Sequence, residues 1–340
     1  MKLSVDEMIS VILTDESVQI LDDKYRKAHA HEWIDRLYSA DKNFFDVIYK
    51  VFQQKSNESV FPLTYIGESS KVEYSSREMI ESAVDFAGEV LGDWAKERVL
   101  NLLLDDHTKL LVRETSPERG KNYLNVVNGT TEVCVQPTDN ICGWISVVHE
   151  IAGHGLSQRA QEHKQLKIDS LGEIESMFTE RLFLDYLLQK KEISQDEYKV
   201  EVGRIYADCT KHVNFIRQER DICEAIKPPF TKEKLAEAIE TFKGSKNFVP
   251  LVEHLYRQVN GENTAYHSFR YVEGLIITTL LYEDYKKDPE KTIAKYREYI
   301  QKNSDYKDRR EAFQDLFGEN FDARIQKLLD TGKERNKEDK

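Results

Sequence analysis

Apolar residues recur at helical spacing along most of this chain, and helix start signals punctuate them. Ser4-x-x-Glu7, Ser75-x-x-Glu78 and Ser170-x-x-Glu173 have the form of a capping box. Asp288-Pro289-Glu290 places proline in a first helical turn. The pattern predicts helices beginning near Ser4, Lys24, Ser76, Gly92, Asn140, Ser170, Ser194, Thr231, Thr264, Pro289 and Tyr306. Val99, Leu102, Leu103 and Leu110 read as one core-facing stripe, and Leu182, Phe183, Tyr186 and Leu187 as another. Leu275–Leu281 is continuously apolar apart from two threonines, and reads as a buried helix too short to span a bilayer. One stretch alternates differently. Tyr123–Val127, then Asn128-Gly129, then Thr130–Val135 predicts a β-hairpin, because Asn-Gly suits a tight turn and the flanks are β-branched. The expected fold is therefore mainly α, with a small antiparallel hairpin or sheet immediately ahead of the helix that starts near Asn140.

The polar run Glu114–Lys121, with its proline and glycine, predicts a hinge. It would divide an N-terminal helical lobe, 1–118, from a second lobe, 119–332, followed by a fraying polar tail, 333–340. At 340 residues the chain is long enough for a large core, and 40% hydrophobic with 32% charged residues describes a globular protein with a heavily charged surface. The formal net charge of −12 argues against a nucleic-acid partner, which calls for a basic face. No stretch has the ~18 unbroken apolar residues of a membrane span. Asp6 and Glu7 do not suit a secretory signal, and Cys134, Cys142, Cys209 and Cys223 show no C-x-x-C spacing. Together these predict reduced core thiols in a cytoplasmic protein, where the Asn128-Gly129-Thr130 sequon has no role.

The candidate chemistry lies in Ile145–His154, where His149, Glu150 and His154 interrupt an apolar helix. Buried polar groups need partners, and a metal ion supplies one: two imidazoles bind zinc while the adjacent glutamate activates water. The spacing is H-E-x-x-G-H. In a regular α-helix, residues five apart diverge by roughly 140° around the axis, against about 40° for residues four apart. His149 and His154 can share one ion only if the helix is locally π-helical or unwound, and Gly153 suits that distortion. The distortion is predicted at Ile151–His154. A third ligand is needed to leave one open position, and Glu173 on the next helix is the candidate, with its place in a capping box as the competing explanation. Glu180, two helical turns on, falls on the same face and can fix the tautomer of a ligand imidazole. Glu175 points elsewhere and is expected to be solvated. His29-Ala30-His31-Glu32 does not put both histidines on one helical face, and His212 with Arg217–Arg220 is expected on a salt-bridged surface.

His149-Glu150-x-x-Gly153-His154, followed by Glu173, Ser176 and Glu180 in an E-x-x-S-x-x-x-E segment, resembles the catalytic region of the thimet oligopeptidase/oligopeptidase F family of zinc metallopeptidases, of gluzincin type. Tyr266–Gly274 is similar to the aromatic segment near the end of those enzymes. Two departures stand out. The family's zinc helix is one residue shorter, and the longer form here resembles that of dipeptidyl peptidase III. The region before the hairpin is also shorter than the family's N-terminal half. The resemblance implies a helical, zincin-like peptidase holding one Zn²⁺ through His149, His154 and Glu173, with Glu150 as general base and peptides as substrate. It further implies Tyr271 and His267 as donors to the oxyanion, and Tyr266 and Arg270 as substrate contacts. The rival expectation is a non-catalytic helical scaffold that binds peptides at a degenerate metal site.

Overall fold

Side-chain caps open the helices where the sequence places them. In the computed structural model, Ser4 and Ser75 each form a complete capping box with Glu7 and Glu78. Ser194 and Glu197 exchange the same pair of bonds, and Asp288 accepts from the Lys291 amide at 3.1 Å. The structure describes residues 3–29, 44–58, 69–106, 108–112, 121–125, 130–135, 138–156, 172–226, 229–245, 248–261, 267–302, 305–306 and 309–334. Ser170, the Asn128–Gly129 turn, the hinge 114–120, His31 and the last residues of the tail lie outside them.

The helices are α1 (Val5–Ile12), α2 (Asp15–His29), α3 (Phe44–Glu58), α4 (Ser76–Phe86), α5 (Asp93–Leu104), α6 (Ile141–Val148), α7 (Gly172–Lys190), α8 (Gln195–Ile226), α9 (Lys232–Phe242), α10 (Phe248–Val259), α11 (Phe269–Tyr285), α12 (Pro289–Lys302), α13 (Arg309–Phe317) and α14 (Phe321–Glu334). A π-helical turn, Ala87–Leu91, links α4 to α5 through Gly92, whose φ of +101° suits glycine. Helix α2 starts well before Lys24, and α3 and α10 were not anticipated. No described helix is long and apolar enough to cross a membrane.

Three strands, β1 (Thr108–Val112), β2 (Lys121–Asn125) and β3 (Thr130–Val135), form one sheet in the order β1-β3-β2. The expected hairpin is the antiparallel β2–β3 pair, in which Tyr123 lies opposite Glu132. Strand β1 adds to β3 in parallel, with Leu110 opposite Val133, so the sheet is mixed rather than purely antiparallel. Leu110 consequently belongs to a strand and not to the stripe of α5. Val133 and Val135 are buried on the face turned to the core, and β3 runs beside the segment that carries His149 and His154.

The chain forms two compact units, one from 1–50 with 210–269 and the other from 51–209 with 270–340. The expected boundary at 118/119 falls inside the second unit, because β1 on one side of it is hydrogen-bonded to β3 on the other. In the first unit α1 and α2 pack on α10, far away in sequence. Tyr25 donates to Glu219 at 2.9 Å, and Gln258 Nε2 donates to the same carboxylate at 2.8 Å. Glu219, expected on a charged surface, is therefore buried among these polar partners. In the second unit Phe86, Trp144 and Phe183 meet edge to face, with ring centroids 5.3 Å (Phe86–Phe183) and 5.6 Å (Trp144–Phe183) apart. Leu182, Phe183, Tyr186 and Leu187 of α7 are all buried there, as the stripe predicts. Leu275–Leu281 of α11 is buried as expected.

Candidate metal centre

Helix α6 is opened by Asn140, whose side chain accepts from the Gly143 amide at 2.8 Å, and is apolar enough to run buried. At His149 it passes into a π-helical turn, His149–His154. The wider turn returns the fifth residue to the face of the first, so the two imidazoles approach with ring centroids 4.8 Å apart and planes at 84°. The distortion begins two residues earlier than the sequence suggests. Gly153 has a further reason to be glycine: a Cβ there would sit 2.5 Å from Ser176 Cα, so the turn lies directly on the backbone of α7.

Helix α7 completes the group. Glu173 Oε2 lies 3.8 Å from Nε2 of His149 and 3.8 Å from Nε2 of His154. The three ligand atoms fall within 4.8 Å of one another. Ligand atoms about 2.1 Å from a tetrahedral ion lie about 3.4 Å apart, so this spacing is close to what a single cation needs. Ser176 Oγ donates to Glu173 Oε2 at 3.3 Å and to its carbonyl at 3.2 Å, which steadies the carboxylate. Glu180 Oε1 is 2.6 Å from His149 Nδ1. That bond holds the Nδ1 proton against the carboxylate and turns Nε2 toward Glu173 and His154, where a metal ion would take the place of its proton.

The electrostatics agree with the donor set. Burial disfavours the His149 imidazolium, but Glu180, then Glu150 and Glu173, outweigh it and lift its pKa to about 10. His154 goes the other way, to about 4, because burial outweighs the pull of Glu173. Glu150 is buried, and burial raises it to about 7, with His149 opposing and Glu173 and Glu180 adding. Three carboxylates thus share a poorly solvated space with two imidazoles, a setting that a divalent cation stabilises. The residues present fit a metal ion. Substituting Glu180 by Gln removes the charge behind His149, and is expected to weaken metal binding about 10–100-fold with the helical content unchanged. Competition against a chromophoric chelator measures it.

The other expected residues divide. Arg270 Nη1 lies 3.9 Å from Glu173 Oε1, while the imidazoles contact Oε2 of the same carboxylate. Tyr271 follows it on α11, and Glu173, with burial adding and Arg270 opposing, raises the phenol above its ordinary range and keeps it a protonated donor. His267 is half-buried in the turn before α11 and belongs to the first unit, while Tyr266 lies outside the described residues. Glu175 is a correction. It is fully buried rather than solvated, because α12 covers that side of α7 and Tyr296 donates to the Glu175 carbonyl at 3.1 Å. Two supports were not foreseen. Gly274 lets α11 approach α7, since a Cβ there would meet Glu173 Cβ and its carbonyl oxygen at 3.2 Å. Cys209 Sγ contacts the Tyr271 carbonyl at 3.4 Å. Glycine within an apolar helix was a readable signal for the first; nothing in the sequence distinguishes the second.

No protein-family model matches this chain, and no curated protein matches it by sequence. Solved structures do share its fold. A candidate oligoendopeptidase F is 12% identical with a TM-score of 0.65, covering 97% of this chain and 65% of its own. PZ peptidase A, solved with an inhibitor, is 11% identical with a TM-score of 0.59, covering 94% and 59%. A candidate peptidase from Chlamydophila abortus is 15% identical with a TM-score of 0.53, covering 85% and 55%. The chain therefore spans between 55% and 65% of the length of these structures.

Proposed function

We propose that this chain is a zinc-dependent peptidase of oligopeptidase or metalloendopeptidase type. The observation that carries the reading is the convergence of His149, His154 and Glu173 within 4.8 Å, beside the buried Glu150. The peptidase descriptions of the structures with the same fold support it and suggest peptides as substrate. Two imidazoles and one carboxylate are a ligand set suited to zinc, and leave a position open for a reactant. A zinc ion held there supplies Lewis acidity and makes water a competent nucleophile near neutral pH.

The chain's own residues do the remainder. Glu150 takes the proton of the attacking water and returns it to the leaving amine; its elevated pKa near 7 before metal binding shows how strongly the site resists an extra negative charge. Tyr271, held protonated, donates to the oxygen that becomes negative as the carbonyl is attacked. Glu180 keeps His149 in one tautomer, and Ser176 with Arg270 holds the Glu173 carboxylate. Cys134 and Cys209 are free thiols, which suits work in a reducing cytoplasm. Cleavage of a quenched-fluorescent peptide library tests the reading. Activity that is lost with 1,10-phenanthroline and restored by zinc is expected; cleavage indifferent to the chelator, or none with zinc bound, overturns it.

A further inference from the structure

Helix α11 carries Tyr271 near its start, and its last turns wall a groove that reaches about 20 Å further along the helix axis. Helices α3 and α14 supply the other walls. The groove encloses about 550 Å³, within the range of roughly 300 to 1,000 Å³ common among small-molecule sites. Val51, Leu280 and Leu328, one from each helix, close its floor and are all buried. The methylene stems of the neighbouring lysines extend that apolar surface, while their charged heads stand at the rim.

Four cationic side chains meet there, Lys55, Lys287, Arg324 and Lys327, against the two carboxylates of Glu283 and Asp284. The carboxylates are already answered. Arg324 Nη1 lies 2.6 Å from Asp284 and Nη2 lies 3.9 Å from Glu283, while Lys287 stands 3.9 Å from Asp284. Arg324 also donates to the Leu280 carbonyl at 2.9 Å, which fixes it as part of the wall. Lys327 has no ion pair among the described residues. The rim is therefore positive, on a chain whose formal net charge is −12. No aromatic ring lines the groove among the described residues, so it offers no face on which a nucleotide base could stack.

We infer that this groove binds a small amphipathic anion, a medium-chain aliphatic carboxylate, with its chain over Val51, Leu280 and Leu328 and its head at the rim beside Lys55 and Lys327. A bare inorganic anion would make no use of the floor, and an uncharged hydrocarbon would make no use of the rim. A cation would meet repulsion. The room suffices for such a chain, and the charge selects its head. The groove requires no metal and stands independently of the peptidase reading.

Calorimetric titration of the whole protein with hexanoate, octanoate and decanoate, at constant ionic strength and below micelle formation, tests the inference. One carboxylate per chain is expected. Two added methylenes should tighten binding about fourfold, half the gain of full burial, because one side of the groove is open. Lys327→Glu, at an exposed position that leaves the fold intact, should weaken decanoate binding about tenfold. Decyltrimethylammonium should not bind. Crystals soaked in ω-bromodecanoate should show an anomalous peak between α3, α11 and α14. Absence of saturable binding overturns the inference, as does an affinity that ignores chain length, which would mark a simple anion site. Equal binding by wild type and Lys327→Glu, equal binding of the cationic amphiphile, or a bromine peak elsewhere overturns it too and would mark an adventitious additive only.

Discussion

Replacing Glu150 by Gln is expected to lower kcat on a peptide substrate about 10²–10⁴-fold, the range typical for losing a general base, while metal content and Tm stay near those of the wild type. The asymmetry follows from position. Glu150 lies in the same π-helical turn as His149 and His154, but it is not one of the three groups whose donor atoms converge. Gln has the same shape and can remain buried without a charge that burial opposes. Steady-state kinetics alongside elemental analysis separates the roles. A variant that loses its metal as well would make Glu150 a ligand or a structural group, and a variant with undiminished kcat would remove it from the chemistry.

Gly153→Ala is expected to destabilise the protein and empty the metal centre, although alanine ordinarily gains about 1 kcal/mol over glycine inside a helix. The added carbon would lie 2.5 Å from Ser176 Cα and 2.9 Å from Ser176 Cβ. Backbone cannot swing aside as a flexible side chain does, so the π-helical turn must lift from α7. Overpacking of this kind costs roughly 1–3 kcal/mol, enough to cancel the helix gain. The larger loss is in binding, because lifting the turn moves His154 away from Glu173. Gly88→Ala is the control. Its Cβ would meet Lys96 Cδ at 2.8 Å, a long side chain able to move, so a small change in Tm and none in metal content are expected. Thermal unfolding with metal titration distinguishes the two variants; equal behaviour would mean that the close contact with α7 carries no weight.

Most of the centre was legible because its spacing was awkward. Two histidines five residues apart in an apolar helix make sense only if the turn widens, and the structure contains that wider turn. Glu180 could be placed from Glu173 because seven residues make two turns, and it bonds His149 Nδ1. The same reasoning failed at Glu175. Periodicity assigns one buried face to a helix, but α7 is packed on all sides near its start, where 173–179 are all buried. Strand β1 was missed for a related reason: Leu110 continues the apolar stripe of α5 in sequence, while its partner in β3 lies beyond a segment with no pairing signal. The division into two units was least legible of all. Residues 1–50 associate with 210–269, and no local pattern reports contacts across so much chain. A polar run such as 114–121 looks like a boundary whether or not the structure divides there.

The measurement that bears most directly on the metal centre is zinc-edge anomalous diffraction from crystals of the zinc-loaded protein, with elemental analysis of the same sample. One zinc per chain is expected, bonded to His149 Nε2, His154 Nε2 and Glu173 Oε2 at about 2.0–2.2 Å. Protein that takes up no zinc, or an anomalous peak elsewhere while these three side chains stand apart, would contradict the account.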